Sequence, residues 1–181
     1  MNCVDNVCRG TGCGAWQGRG MAEVSRRSLL TGARKAPAFR PPWSGSESDF
    51  TQRCSRCHAC LDACETGVLQ VGAGGFPHLD FTRAECTFCY GCAGACPESL
   101  FTARSAAPWE YQLTVSAACL AFRQTECRCC QDACPEQAIR FFPVLTGIAV
   151  PQPESARCTT CGACLRACPV SALSLRNPDE R

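Results

Sequence analysis

The sequence predicts an α+β chain: two small modules in tandem, each with an internal two-fold repeat, behind a flexible basic N-terminal arm. Three observations predict it. One cysteine pattern recurs four times after residue 53, and short apolar stretches with Gly and Pro breakers separate the copies in pairs. Cysteine supplies 20 of 181 residues, far above ordinary usage, which points to a disulfide scaffold or a metal protein. The hydrophobic content of 46% includes those cysteines. Without them roughly a third of the chain is left for an ordinary core, so something besides apolar packing must help to hold it together.

The pattern itself is specific. Residues 54–64 read CSRCHACLDAC, residues 86–97 read CTFCYGCAGACP and residues 158–169 read CTTCGACLRACP. Each is C-x2-C-x2-C-x3-C, the ligand run of a bacterial-type [4Fe–4S] cluster. Cysteines two residues apart on a curled loop can turn three thiolates toward three corners of one cube. The fourth is expected to open a short helix, with Pro97, Pro135 or Pro169 in its first turn, where no backbone N–H is needed. Glu65 replaces that proline in the first copy, adding negative charge near an anionic group.

The remaining copy, CLAFRQTECRCCQDACPE at residues 119–136, has five cysteines. Aligning Cys134-Pro135 with the other fourth ligands puts Cys130 and Cys127 in third and second place. The first ligand then falls on Cys119, with five extra residues that should bulge outward, since loops accept insertions at small entropic cost. Cys129 occupies a slot filled by Ala59, Gly91 and Ala163 in the other copies and is expected to be a small non-ligand filler. Ala63, Ala95, Ala133 and Ala167 share the slot before the fourth ligand, where the backbone should pass close to the cluster. The expected ligands are thus Cys54, Cys57, Cys60, Cys64, Cys86, Cys89, Cys92, Cys96, Cys119, Cys127, Cys130, Cys134, Cys158, Cys161, Cys164 and Cys168, for four [4Fe–4S] clusters.

Competing readings are weaker. Zinc takes cysteine pairs separated by about a dozen or more residues, which quartets this dense do not match. Disulfides need an oxidising compartment, and no cleavable signal peptide is visible. Cys3, Cys8 and Cys13 fit no quartet. His58 lies inside a complete quartet and reads as an exposed loop residue, and His78 is the only other histidine. No Ser–His pair, histidine cluster or G-x-G-x-x-G loop is present, so an enzyme active site is not expected and one-electron transfer is what these residues can do.

Residues between the first two quartets and between the last two each read as a β-hairpin, from apolar stretches flanked by breakers. Val68, Leu100, Ile139 and Leu173, each following a fourth cysteine, should pack on the clusters and exclude water. The alternating Trp109, Tyr111, Leu113 and Val115 suggest a strand covering the junction of the halves. The expected organisation is an arm over 1–49, a first module over 50–104, a linker and covering strand over 105–116, a second module over 117–176 and a tail over 177–181. Both halves resemble two-cluster ferredoxins, so the fold is expected to be two tandem bicluster 2[4Fe–4S] ferredoxin-like modules. That resemblance implies crossed ligation: Cys54, Cys57, Cys60 with Cys96; Cys86, Cys89, Cys92 with Cys64; Cys119, Cys127, Cys130 with Cys168; and Cys158, Cys161, Cys164 with Cys134.

The net charge is +2, yet residues 1–40 carry seven basic side chains against Asp5 and Glu23, a local +5 that leaves the rest about −3. Such an arm can meet a partner or simply be solvated. No nucleic-acid partner is expected, and no stretch approaches the roughly 18 apolar residues of a membrane span. SRRSLLTGARKAPAFRPPWS, residues 25–44, begins like a twin-arginine export signal at Arg26 and Arg27. The apolar stretch such a signal needs is replaced by Gly, Arg, Lys and Pro.

SRRSLLTG, RPPWS, GAGGFP, ECTFCYGCAGACPESLF, the stretched third quartet and GACLRACPVSAL together resemble the NapF family of ferredoxin-type proteins of the periplasmic nitrate reductase system. The resemblance covers about residues 21–175, so Met21 is the expected initiator and residues 1–20 an upstream extension. It implies a cytoplasmic iron–sulfur protein that meets the precursor of the reductase catalytic subunit and assists its maturation before export, with Arg26 and Arg27 contributing to docking. The alternative is a freestanding polyferredoxin carrier or a ferredoxin subunit of a redox enzyme, which the cysteines fit equally.

Overall fold

Helix α1, Glu47–Arg53, begins where Ser46 accepts the Asp49 N–H at 3.2 Å. Glu47 and Asp49 in its first turn and Arg53 in its last complement the helix dipole. Its apolar anchor is Phe50, fully buried. The computed structural model describes residues 38–145 and 147–177, all within the unit Pro37–Arg181. Arg26, Arg27, Met21, Cys3, Cys8, Cys13 and residues 178–181 lie outside the described residues.

Part of the expected flexible arm is packed structure. Arg40 is buried and grips Glu47 with two hydrogen bonds, Nε and Nη2 each at 2.6 Å from a carboxylate oxygen. Its Nη1 donates to the Pro77 carbonyl at 2.8 Å, and its guanidinium lies over the rings of Phe50 and Phe76. Trp43, also buried, donates its Nε1–H to the Ala106 carbonyl at 2.9 Å. Its backbone receives a bond from Thr102 and makes one to Pro108, each 2.8 Å. The RPPWS stretch therefore straps the start of the first module to its end. A planar bidentate Arg–carboxylate pair and a buried indole hold such a strap better than the proline-rich composition suggests.

Four short helices carry the cysteine loops: α2, Ala59–Asp62; α3, Gly91–Gly94; α4, Cys129–Asp132; and α5, Ala163–Ala167. Each contains a third cysteine and ends one or two residues before the fourth, so the helix precedes the fourth ligand instead of starting from it. Pro135 and Pro169 sit instead in turns closed by Gln137 N–H to Cys134 O at 3.1 Å and Ser171 N–H to Cys168 O at 3.2 Å. Proline presets the φ angle that the second residue of such a turn requires.

Among the described residues the strands form three two-stranded antiparallel pairs. β1, Leu69–Val71, faces β2, Pro77–Leu79, with Leu69 opposite Leu79. β4, Ile139–Phe142, faces β5, Val150–Pro153, with Ile139 opposite Pro153. Both are the hairpins expected between quartets. β3, Gln112–Val115, pairs with β6, Leu173–Arg176, with Leu113 opposite Leu175. The linker strand thus completes the second module, while Trp109 ahead of it reaches back to the first.

The two modules are stitched together at one place. The Cys86 N–H donates to the Cys161 carbonyl at 2.9 Å. Trp109 packs edgewise on Phe81 and Phe88 and bonds the Thr160 hydroxyl, and Arg166 pairs with Glu85 at 3.3 Å. Cys60, Cys92, Val68, Leu69, Leu79 and Phe81 share one buried cluster with Leu175, and Cys130, Cys164, Ile139 and Leu173 form another. No described helix is long and apolar enough to cross a membrane.

Candidate metal centres

Within each quartet the third cysteine is buried on the first turn of its helix, while the others are half-buried or exposed. The loops curl tightly because residues in the left-handed region alternate with ordinary ones. Arg56 and His58 lie at φ 60° and 66°, Phe88 and Tyr90 at 54° and 72°, Thr160 and Gly162 at 58° and 88°. Five of those six carry side chains that resist this conformation, so tertiary structure must hold them there. Backbone alternating in this way turns successive N–H groups inward, forming an anion-binding concavity found at many Fe–S sites. Further N–H groups already point at sulfur: Ala138 to Cys134 Sγ at 3.3 Å, Ala172 to Cys168 Sγ at 3.2 Å and Gly91 to Cys89 Sγ at 3.5 Å.

The side chains come together in crossed groups. Cys64, Cys86, Cys89 and Cys92 line one small pocket, closed by Val68, Leu69 and Leu79, with Glu65 on its wall. Cys134, Cys158, Cys161 and Cys164 line another, with Ile139, Leu113 and Leu175. Cys119, Cys127, Cys130 and Cys168 share one more with Cys129, Val115 and Leu173. The remaining group is Cys54, Cys57, Cys60 and Cys96. Burial pushes the Cys60 thiol up to about 11, and the charges of Cys54, Cys96 and Cys57 add to it. Cys96 is raised in turn by burial and by Cys57 and Cys54.

Burial also dominates at the other third cysteines. Cys92 is pushed up to about 12, with Cys86, Cys60 and Cys89 adding; Cys164 rises to about 12, with Cys158, Cys161, Cys134 and Cys130 adding. Cys130 rises to about 11, with Cys119 the next cause. Packing sets the order of the sites in space, each numbered by the quartet that supplies three of its four cysteines. The first site meets the second where Cys60 and Cys92 share one buried cluster. The second meets the fourth where the Cys86 N–H bonds the Cys161 carbonyl, and the fourth meets the third where Cys164 and Cys130 share another buried cluster.

The donor set fits polynuclear iron better than a single ion. Among the described residues, no three or more His, Cys, Asp or Glu side chains are arranged to hold one metal ion. The sulfurs stand around cavities instead of converging on a point, with inward N–H groups and apolar walls that raise the strength of every charge inside. Both histidines have backbone partners: His58 Nε2 with the Gly75 oxygen at 2.9 Å and His78 Nδ1 with the Gln70 oxygen at 3.1 Å. His58 is half-buried, not exposed as expected, because the β1–β2 connection folds over its loop.

The third loop departs from the rest. Its insertion bulges outward as expected: Ala121 is fully buried as an anchor and Phe122 to Glu126 are exposed. Arg128, the counterpart of His58, Tyr90 and Gly162, has φ −128° instead of a positive angle. Cys129 is exposed on the cavity rim, whereas Ala59 and Gly91 are half-buried and Ala163 is buried, so it does not fill a covered slot.

Sequence reasoning missed Arg40, Trp43 and the packing of Phe81 against Gly162. The RPPWS signature was visible, but a strap made by residues some 60 positions apart leaves no local mark. Gly162 could have been singled out as the lone glycine at a slot where His58 and Tyr90 have side chains.

Comparison with known proteins agrees with this geometry. The 4Fe-4S dicluster domain family matches residues 53–100 and 125–172, so Cys119 lies outside the second match although the fold brings it to the same cavity. The ferredoxin-type protein NapF of Escherichia coli (strain K12) is 54% identical over 154 residues, 84% of this chain and 94% of the relative. That of Haemophilus influenzae is 44% identical over 139 residues, 77% and 79% of the two chains. The methylamine utilization ferredoxin-type protein MauM of Methylobacillus flagellatus is 29% identical over 170 residues, 82% and 73%. With two dicluster matches and 54% identity to such a relative over 84% of its own length, the chain belongs to the NapF family of ferredoxin-type iron–sulfur proteins.

Proposed function

We propose that the chain holds four [4Fe–4S] clusters on its sixteen quartet cysteines, in the crossed groups above, and works in the cytoplasm on the precursor of the periplasmic nitrate reductase catalytic subunit. When bound, such clusters supply one-electron transfer. The chain's own residues order the sites, exclude water and aim N–H groups at the sulfurs. The observation that carries this reading is the row of four cysteine-lined sites, first–second–fourth–third, joined across the modules by the Cys86–Cys161 backbone bond. A row suits a protein that passes electrons between partners at its two ends. The nitrate reductase assignment rests on the family, and Arg26 and Arg27 are the proposed docking residues.

Anaerobically purified protein should contain about 16 iron and 16 sulfide per chain, four per cluster. It should capture the reductase precursor from cytoplasm, and Arg26→Ala/Arg27→Ala should keep the iron yet bind the precursor less well. Full iron content with no precursor binding would favour the freestanding carrier. An iron content near half the expected value would refute the four-cluster reading.

A further inference from the structure

We propose that Cys127 and Cys129 are interchangeable ligands of one iron corner in the third site. The inference rests on the reading that this quartet binds a cluster. Cys129 lines the same cavity as Cys119, Cys127, Cys130 and Cys168, so five sulfurs face a site that needs four. The Cys127 and Cys129 sulfurs lie 3.8 Å apart. Two thiolates on one tetrahedral metal, with bonds of about 2.3 Å, stand at about that separation. Either sulfur can therefore serve the same iron with only a small shift of the other.

The cause is local and absent from the other three loops. A positive φ at His58, Tyr90 and Gly162 carries the following residue under cover, and that residue has no sulfur. At Arg128 the backbone takes φ −128° and ψ 10°, which leaves residue 129 exposed at the cavity rim. The insertion after Cys119 lengthens the tether to Cys127, so the loop can accommodate either ligand at little entropic cost. Arg128 also lies over the Phe141 ring, 5.1 Å from its centroid, and this anchors the residue between the two cysteines while its neighbours exchange.

The exchange balances without an oxidant or reductant. The Cys129 thiol gives its proton to solvent and its sulfur bonds the iron. The Cys127–iron bond breaks, and that sulfur takes a proton from solvent. Cluster charge and electron count are unchanged. The third site would keep its cluster if either thiol were chemically blocked, a tolerance the other three sites lack.

Iron content and the EPR spectrum of the oxidised, anaerobically purified full-length protein test this. Cys127→Ala and Cys129→Ala should each retain about 16 iron with no [3Fe–4S] signal, as four complete clusters require. The double variant should lose a cluster or show the [3Fe–4S] signal, as should Cys161→Ala, whose loop has no spare sulfur. Cys127→Ala behaving like Cys161→Ala would overturn the proposal. The wild-type protein gives an independent check that needs no folded variant. Brief alkylation followed by peptide mass spectrometry should divide the label between Cys127 and Cys129, and label on Cys129 alone would overturn it. A wild type short of one cluster would instead refute the underlying reading of the third quartet.

Discussion

Gly162→Ala should loosen the joint between the modules. Gly162 lies at φ +88°, and a Cβ there would come 2.1, 2.6 and 2.7 Å from the Phe81 Cδ1, Cε1 and Cγ atoms. Phe81 cannot retreat easily, being 5% exposed and packed on Phe39 and Trp109 with ring centroids 5.5 and 6.4 Å away. The left-handed backbone costs an alanine about 1–2 kcal/mol, and overpacking typically adds about 1–3 kcal/mol, for a total of about 2–5 kcal/mol. Because cluster loss makes unfolding irreversible, the readout is a rate. Even the lower bound, if it falls on the unfolding step, is more than tenfold. The half-life of cluster absorbance in guanidinium under anaerobic conditions should shorten accordingly. Gly94→Ala is the control, since its Cβ meets nothing within 4 Å. In a Phe81→Ala background the clash disappears and only the backbone penalty should remain, a non-additivity expected of residues in contact. Decay of Gly162→Ala at the rate of Gly94→Ala would refute the packing of Phe81 on this loop.

Trp43→Ala, which empties a buried indole site and leaves the Ala106 carbonyl without its donor, should destabilise the first module by about 3–5 kcal/mol, read as faster decay of cluster absorbance; an unchanged half-life would show that the strap does not hold. Glu65→Gln removes an exposed charge from the wall of the second site, and since a contact charge pair in water is worth about 1 kcal/mol, one midpoint in a redox titration should rise by a few tens of millivolts, with no rise refuting its placement. Cluster reconstitution should depend on pH in two stages. Burial holds Cys60 and Cys130 up at about 11 and Cys92 and Cys164 at about 12, from an ordinary 9.0. Loading must release those protons and should become more complete from pH 7 to 9. Above 9 the unfolded chain ionises first, so the metal-free fold should lose stability as pH rises through 11 to 12; iron uptake and circular dichroism would show both, and loading that falls from pH 7 to 9 would contradict the burial.

Cysteine spacing and breaker placement were enough to locate the quartets, both hairpins, the apolar residues Val68, Leu100, Ile139 and Leu173, and the outward bulge after Cys119. Each depends on neighbours within a few positions, where backbone geometry limits the choices. Tertiary structure decided the rest. The helices run into the fourth cysteines because the curled loops end in buried third cysteines, which no propensity of a four-residue stretch dictates. Non-glycine residues such as Arg56 and Phe88 occupy the left-handed region only because the surrounding fold holds them there. Arg40 and Trp43 are structural because their partners, Pro77 and Ala106, lie 37 and 63 positions away. Spacing within a quartet cannot say which quartet stands beside which. That order follows from Cys86 meeting Cys161, a contact between segments that only packing of the two modules brings together.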